Sequence, residues 1–169
     1  MTVKKITTLS MLTAIALTIF LVETQIPPIV PLPGVKLGLS NIVTVFTVFV
    51  IGPWEAAAVL AVRVFLGAVF AGNFSTIFYS AAGGFAAILV TIALRRVLKP
   101  RQLWVAGCLG AIAHSIGQMA VAVLLTGTPS IIIYLPALIV CSIIAGLFTG
   151  LCAQLLVNRG EKLWKTYLK

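Results

Sequence analysis

One arginine lies inside an apolar stretch of this sequence. Arg63 lies near the middle of the run from Ala56 to Ala71, where a charged side chain in a bilayer costs at least about 2.5 kcal/mol. We therefore expect it to face protein or water. Its planar guanidinium can bind the carboxylate or phosphate of a ligand. Alternatively, it forms a structural lock with Glu23, with Glu55 or with backbone carbonyls.

His114, Ser115 and Gln118 form a second polar group within an apolar run. His114 and Gln118 are four residues apart, so a helix places them on one face about one turn apart. A single histidine without Asp or Cys nearby is a poor metal site, and we predict no metal. Three uses remain open: a hydrogen bond between helices, contact with a ligand, or a proton relay.

Several other polar side chains are predicted to share one depth in the membrane, under the topology derived below. The outer half of the bundle or its rim receives Glu23, Asn41, Asn73, Tyr79, Gln118 and Tyr134. If they converge beneath the Pro-rich segment 27–34, they form an outward-facing polar pocket with an aromatic wall. The candidate ligand-binding residues are Lys36, Asn41, Arg63, Asn73, Tyr79, His114 and Gln118. Alternatively, Asn73 caps a turn and the tyrosines anchor the chain at the membrane interface.

The acidic residues exclude several kinds of catalysis. The chain has no Asp, and its three Glu are scattered at positions 23, 55 and 161. Clustered carboxylates for Mg²⁺-diphosphate chemistry or paired acid/base catalysis therefore cannot be assembled within it. It also lacks a phosphate-binding loop, so any ATP use belongs to another subunit. The three cysteines lie in apolar runs and lack C-x-x-C spacing. This pattern favours buried small side chains over metal ligands or disulfides. The sequence does not predict an enzyme.

Membrane-spanning helices must position these side chains. The 169 residues are 61% apolar and 9% charged, with mean hydropathy +1.18, whereas a soluble domain carries about 25% charged residues. At about 20 residues per crossing, the length suits six transmembrane helices and no separate aqueous domain. The runs predict one all-α integral membrane domain over residues 1–169, with helices at about 6–26, 37–51, 54–71, 76–94, 103–126 and 131–157. The second is short, and Pro136 either kinks the last helix or starts it after an apolar loop.

The basic residues predict the orientation of the chain. With the N-terminus in the cytoplasm, ten cations fall on that side: Lys4, Lys5, Arg95, Arg96, Lys99, Arg101, Arg159, Lys162, Lys165 and Lys169. Only Lys36 falls outside, which favours a multi-pass protein of the cell membrane with both termini in the cytoplasm. These cations flank apolar runs, so we expect the lipid bilayer, and not nucleic acid, as a partner.

Small residues recur every four positions in two of the predicted helices. Ser10, Ala14 and Thr18 form such a stripe in the first helix, and Gly146 and Gly150 form one in the last. Small side chains allow helices in a membrane to approach closely. Each stripe serves either internal packing or contact with a partner membrane protein, and the first helix is the better candidate for a partner.

Five sequence strings, taken in order, resemble one known family. They are PGVKLGLSN at 33–41, RVFLG at 63–67 continuing to GN at 72–73, YSAAGG at 79–84, AHSIGQ at 113–118 and YLP at 134–136. Their order and spacing resemble the Gx transporter family, often labelled heptaprenyl diphosphate synthase component I, over nearly the whole chain. That family is similar in fold to the substrate-binding S components of energy-coupling-factor transporters.

The resemblance implies six helices, an outward-facing ligand pocket and a first helix that contacts a transmembrane coupling subunit working with ATPases. Members also resemble a membrane component found with flavin-linked extracellular electron transfer in Gram-positive bacteria, which implies a flavin or quinone held through a partner. The leading hypothesis is a substrate-binding membrane subunit for uptake of a small, anionic or vitamin-like solute. The alternative is a non-catalytic membrane subunit of a redox assembly or of a heptaprenyl diphosphate synthase.

Overall fold

The computed structural model describes residues 3–26 and 36–167, although the side chains of residue 100 and of 161–167 lie outside this description. Within these ranges the chain forms six α-helices, two short 3₁₀ helices (Pro100–Gln102 and Pro129–Tyr134) and no strand. The helices are α1 (Val3–Thr24), α2 (Asn41–Val50), α3 (Pro53–Ala71), α4 (Ser75–Arg95), α5 (Leu103–Thr126) and α6 (Leu135–Tyr167). The predicted all-α fold is confirmed for this part of the chain.

Five helices in the described ranges, all except α2, are long and apolar enough to cross a membrane. The protein is therefore a multi-pass membrane protein. With ten residues, α2 extends only about 15 Å at 1.5 Å per residue, half of a hydrocarbon core about 30 Å thick.

Two helix starts differ from the sequence expectation. α2 begins at Asn41 and not at residue 37, because the preceding residues form an extended stretch and a turn. Gly38 adopts φ +76° there, a conformation that glycine reaches without steric cost. α6 begins at Leu135 after a 3₁₀ helix, so Pro136 lies in its first turn, where the missing N–H needs no partner. Pro136 thus starts the last helix. The Pro-rich segment 27–34 lies outside the described residues.

The short helix α2 lies at the centre of the bundle. It contacts each of the other five α-helices. Its buried residues are Asn41, Val43, Thr44, Val45, Phe46, Thr47 and Val48, so it is covered on nearly every side. Such a helix is stabilised by its protein neighbours and not by lipid.

The α5–α6 interface brings two backbones close together. A Cβ atom added to Gly107 of α5 would lie 2.7 Å from the backbone nitrogen of Gly150 in α6. About two helical turns away, the hydroxyls of Ser115 and Ser142 form a buried hydrogen bond of 2.5 Å between the same helices. The small residues of α6 therefore serve internal packing.

Candidate functional site

Residues 36–39, between α1 and α2, are held in place through their backbone. The Glu23 carboxylate at the end of α1 accepts a hydrogen bond from the Gly38 N–H (2.6 Å to Oε1) and one from the Leu39 N–H (3.1 Å to Oε2). From α5, the Gln118 side-chain oxygen accepts one from the Lys36 N–H at 3.2 Å. Glu23 and Gln118 are both buried. Two helices thus fix this segment above the bundle interior.

Two cations meet one aromatic ring beneath this segment. The Lys36 ammonium lies 3.8 Å from the centroid of the Phe20 ring, and the Arg63 guanidinium carbon lies 5.5 Å from it. Phe20 is buried, and it packs so closely on α3 that a Cβ at Gly67 would lie 2.8 Å from its ring. The ring face attracts both cations, which partly offsets their mutual repulsion.

Polar atoms of Arg63 and Asn41 lack partners among the described residues. Arg63 is 3% exposed and Asn41 4% exposed. The Arg63 Nη2 and the two polar side-chain atoms of Asn41 form no hydrogen bond with the described residues. A buried polar atom without a partner costs about 1–3 kcal/mol, and more when it is charged. These atoms are therefore available to hydrogen-bonding groups other than those of the described residues.

His114 is enclosed by two glycines. A Cβ at Gly38 would lie 2.9 Å from one edge of its ring, and a Cβ at Gly83 in α4 would lie 2.8 Å from the opposite edge. Its Nδ1 lies against the Gly83 backbone without a hydrogen bond of good geometry. The ring thus fills the space between α4 and the 36–39 segment, a packing position beside the unpartnered atoms of Asn41.

The charges of this cluster do not balance. It contains one carboxylate, Glu23, and two cations, Lys36 and Arg63, so it carries a formal charge of about +1. The carboxylate oxygens are occupied by backbone N–H groups, and no ion pair joins Arg63 to a carboxylate in the part of the chain that the structure describes. Burial lowers the pKa of Lys36, Glu23 opposes that shift and Arg63 adds to it. One anionic group would neutralise the cluster.

The structure excludes one of the partners proposed for Arg63, namely Glu55. Glu55 forms an ion pair with Lys5, which ties the start of α3 to the start of α1. That pair lies in the first turn of α3, whereas Arg63 is near its middle. Glu55 therefore does not lock Arg63. Glu23 attracts Arg63 electrostatically, but its oxygens accept hydrogen bonds from the backbone N–H groups of Gly38 and Leu39.

Five of the seven predicted ligand-binding residues converge: Lys36, Asn41, Arg63, His114 and Gln118. Asn73 does not join them, because it is exposed and its side-chain oxygen accepts hydrogen bonds from the Ser75 N–H and hydroxyl. Tyr79 is buried in an apolar cluster with Met119 and Leu138. Tyr134 is 41% exposed. The structure therefore separates these three residues from the cluster.

Three contributors were missed by sequence reasoning: Phe20, Gly38 and Gly83. Phe20 is one residue among many apolar ones in α1, and only the fold shows that two cations meet its ring. Gly38 and Gly83 lie in the strings KLG and YSAAGG. The available signal was a glycine beside polar residues, which indicates close approach of backbone to a side chain.

The stripe of Ser10, Ala14 and Thr18 is exposed along α1, which packs mainly on α3. It is therefore free for the partner contact expected from the sequence. Among the described residues, no group of three or more His, Cys, Asp or Glu side chains is placed to hold a metal ion.

The family model described as heptaprenyl diphosphate synthase component I matches residues 12–156. The chain belongs to this family, as its motifs indicate. The match includes Phe20, Glu23, Lys36, Asn41, Arg63, His114 and Gln118. No curated protein and no solved structure matches the chain.

Proposed function

We propose that this member of the heptaprenyl diphosphate synthase component I family is the substrate-binding membrane subunit of an uptake system for a small anionic or vitamin-like solute. The observation that supports it is the buried Arg63 Nη2 without a partner, beside an unpartnered Asn41 amide and a second cation, Lys36. Such an arrangement is preorganised to bind an anion.

Each residue of the cluster has a distinct role in this proposal. Arg63 forms two hydrogen bonds to a carboxylate or phosphate, and Lys36 contributes a second positive charge. The side-chain amide of Asn41 offers one donor nitrogen and one acceptor oxygen, which orient the remainder of the solute. Glu23 and Gln118 are positioning residues, since their oxygens hold the segment that carries Lys36. His114 supports the same segment by packing.

The orientation of the chain is part of the proposal. The protein lies in the cell membrane, which is the inner membrane where a cell has two, and both termini are in the cytoplasm. All six helices form the transmembrane bundle. The solute enters the site from the outer side. Energy comes from a separate coupling subunit with ATPases that docks on the exposed stripe of Ser10, Ala14 and Thr18. Reporter fusions after Arg101 and after Thr128 test it: the first is expected to be cytoplasmic and the second external.

The decisive experiment compares paired variants of the purified protein. Wild-type protein, extracted from its native membrane in mild detergent, is denatured and the released small molecules are identified by mass spectrometry. We expect a stoichiometric anion in the wild type and its loss in Arg63→Gln and Asn41→Ala. The matched controls, Arg95→Gln and Asn73→Ala, change exposed residues of the same types and should keep it. Release of the same anion from all four variants contradicts the proposal.

A second candidate function is suggested by the family match: a non-catalytic membrane subunit of a heptaprenyl diphosphate synthase. Catalysis would then belong to an Asp-rich soluble partner, because this chain has no Asp. A related form is a subunit of a flavin- or quinone-linked electron-transfer assembly, with the cofactor held by the partner. Co-purifying proteins distinguish these candidates: a soluble prenyl synthase or a redox subunit without a bound solute favours this second class.

A further inference from the structure

Three charged side chains determine the net charge of the solute site: Glu23, Lys36 and Arg63. Arg63 is 3% exposed and Glu23 is 5% exposed, while Lys36 is half-buried. Residues 27–35, which join Glu23 to Lys36 along the chain, contain no charged side chain. Charges removed from water in this way are weakly screened, so they interact strongly with one another and with a bound solute.

Glu23 supplies the site with an anion of its own. Its two oxygens accept hydrogen bonds from the backbone N–H groups of Gly38 and Leu39. It also attracts both Lys36 and Arg63 electrostatically. Hydrogen bonds donated to a carboxylate, and cations close to it, favour its charged form. Glu23 therefore balances one of the two cations, and one positive charge remains.

The remaining charge limits the charge of the solute. His114 is counted as neutral, because Arg63 disfavours a further positive charge on the ring. A neutral solute leaves the positive charge in place, and a monoanion cancels it. A dianion reverses the net charge and is repelled by Glu23. Since an uncompensated buried charge of either sign is costly, the site favours a solute with one negative charge.

Asn41 indicates a second property of the solute. It is 4% exposed, and its side-chain oxygen and nitrogen both lack partners among the described residues. An amide oxygen can only accept a hydrogen bond, so it requires a donor and disfavours a second anionic oxygen. A hydroxyl or N–H group on the solute provides that donor without adding charge.

We propose that the site selects a monoanionic organic acid, such as a monocarboxylate that also bears a hydroxyl or N–H group, and that Glu23 sets this selectivity by excluding dianions. The inference rests on the proposed uptake function and narrows it, since phosphate monoesters and diphosphates are then poor ligands. Glu23 is thus a specificity-determining residue as well as a positioning residue.

Three small probes of similar size test this selectivity at pH 8. Glycolate carries one negative charge and glycolamide none, while methyl phosphate carries two, because its second pKa is about 6. Binding is measured as thermal stabilisation of the full-length protein in detergent, at constant ionic strength. We expect glycolate to bind at least about tenfold more tightly than either of the others. Equal or tighter binding of methyl phosphate overturns the inference, and so does the absence of stabilisation by all three probes.

The solute released from the native protein distinguishes failure of this inference from failure of the proposed function. A monoanionic solute supports both. A dianionic solute overturns the selectivity for monoanions but leaves the uptake function standing. Absence of any released anion contradicts the uptake function itself, and the inference fails with it.

A variant of Glu23 should change which probe is preferred. Glu23→Gln raises the charge of the site by one unit, so the preference should switch from glycolate to methyl phosphate. The matched control is Glu55→Gln, which removes a carboxylate that pairs with Lys5 outside the site and should keep the wild-type preference.

A second variant tests the charge of the site in the opposite direction, without removing the carboxylate that holds residues 36–39. Lys36→Met leaves the site with no net charge, so glycolamide should bind at least as tightly as glycolate. Lys99→Met changes an exposed lysine and is its control. Wild-type preferences in both Glu23→Gln and Lys36→Met would show that charge does not set the selectivity.

Discussion

The close contact between Gly83 and His114 predicts a measurable cost for adding one methyl group. In Gly83→Ala the new Cβ would lie 2.8 Å from two atoms of the His114 ring and 2.9 Å from the Gln118 Cγ. The ring cannot simply retreat, because its other edge faces Gly38, and Gln118 holds the backbone of Lys36. Overpacking of this kind costs about 1–3 kcal/mol.

A matched variant removes the contribution of helix propensity, which favours Ala over Gly by up to about 1 kcal/mol. Gly110→Ala is also within a helix, and its nearest neighbour would be the Thr91 hydroxyl at 3.3 Å, which requires only a small adjustment. We expect Gly83→Ala to be about 1–3 kcal/mol less stable than Gly110→Ala.

The assay is unfolding in mixed micelles with increasing dodecyl sulfate, followed by helical ellipticity. Amide hydrogen exchange of residues 36–39 provides a local readout, and it should be faster in Gly83→Ala because the segment is displaced. Equal unfolding midpoints with unchanged exchange would refute the reasoning. That result would mean that His114 moves freely and that the cluster is not rigidly packed.

Three further predictions concern contacts elsewhere in the bundle. Gly107→Ala inserts a methyl group against the α6 backbone and should destabilise the protein by at least about 1–3 kcal/mol in the same unfolding assay. Removal of the buried hydroxyl pair by Ser115→Ala and Ser142→Ala should give a coupling energy of about 0.6 kcal/mol in a double-mutant cycle, and a value of zero would show that the hydrogen bond does not stabilise the fold. Glu55→Gln, which breaks the ion pair with Lys5, should cost at most about 1 kcal/mol, and the difference from wild type should shrink as salt is added.

The helices could be predicted from sequence because long apolar runs in a membrane must satisfy their backbone internally. The start of α2 could not, because Leu37 and Leu39 continue the apolar pattern through a stretch that Glu23 holds by its backbone. Hydropathy contains no information about such a tertiary contact.

The burial of some candidate residues was predictable, but which of them meet in the bundle was not. A polar side chain in an apolar helix is costly in contact with lipid, so Arg63 and Gln118 were expected to face the protein interior. Both are buried in the structure. Asn73 is also polar, but it lies just beyond the end of α3 and is exposed, where it stabilises a turn. The role of Phe20 depends on how α1 packs against α3, which the sequence of either helix alone does not specify.

The central position of the short helix α2 has a consequence for biogenesis. A helix of ten residues reaches only halfway through the hydrocarbon, so lipid alone would leave its terminal backbone groups without partners. Its contacts with α6 come from the last of the described helices. Because α6 is synthesised after α2, this helix acquires its full set of protein contacts only once α6 has been made, so its final packing is coupled to synthesis of the later helices.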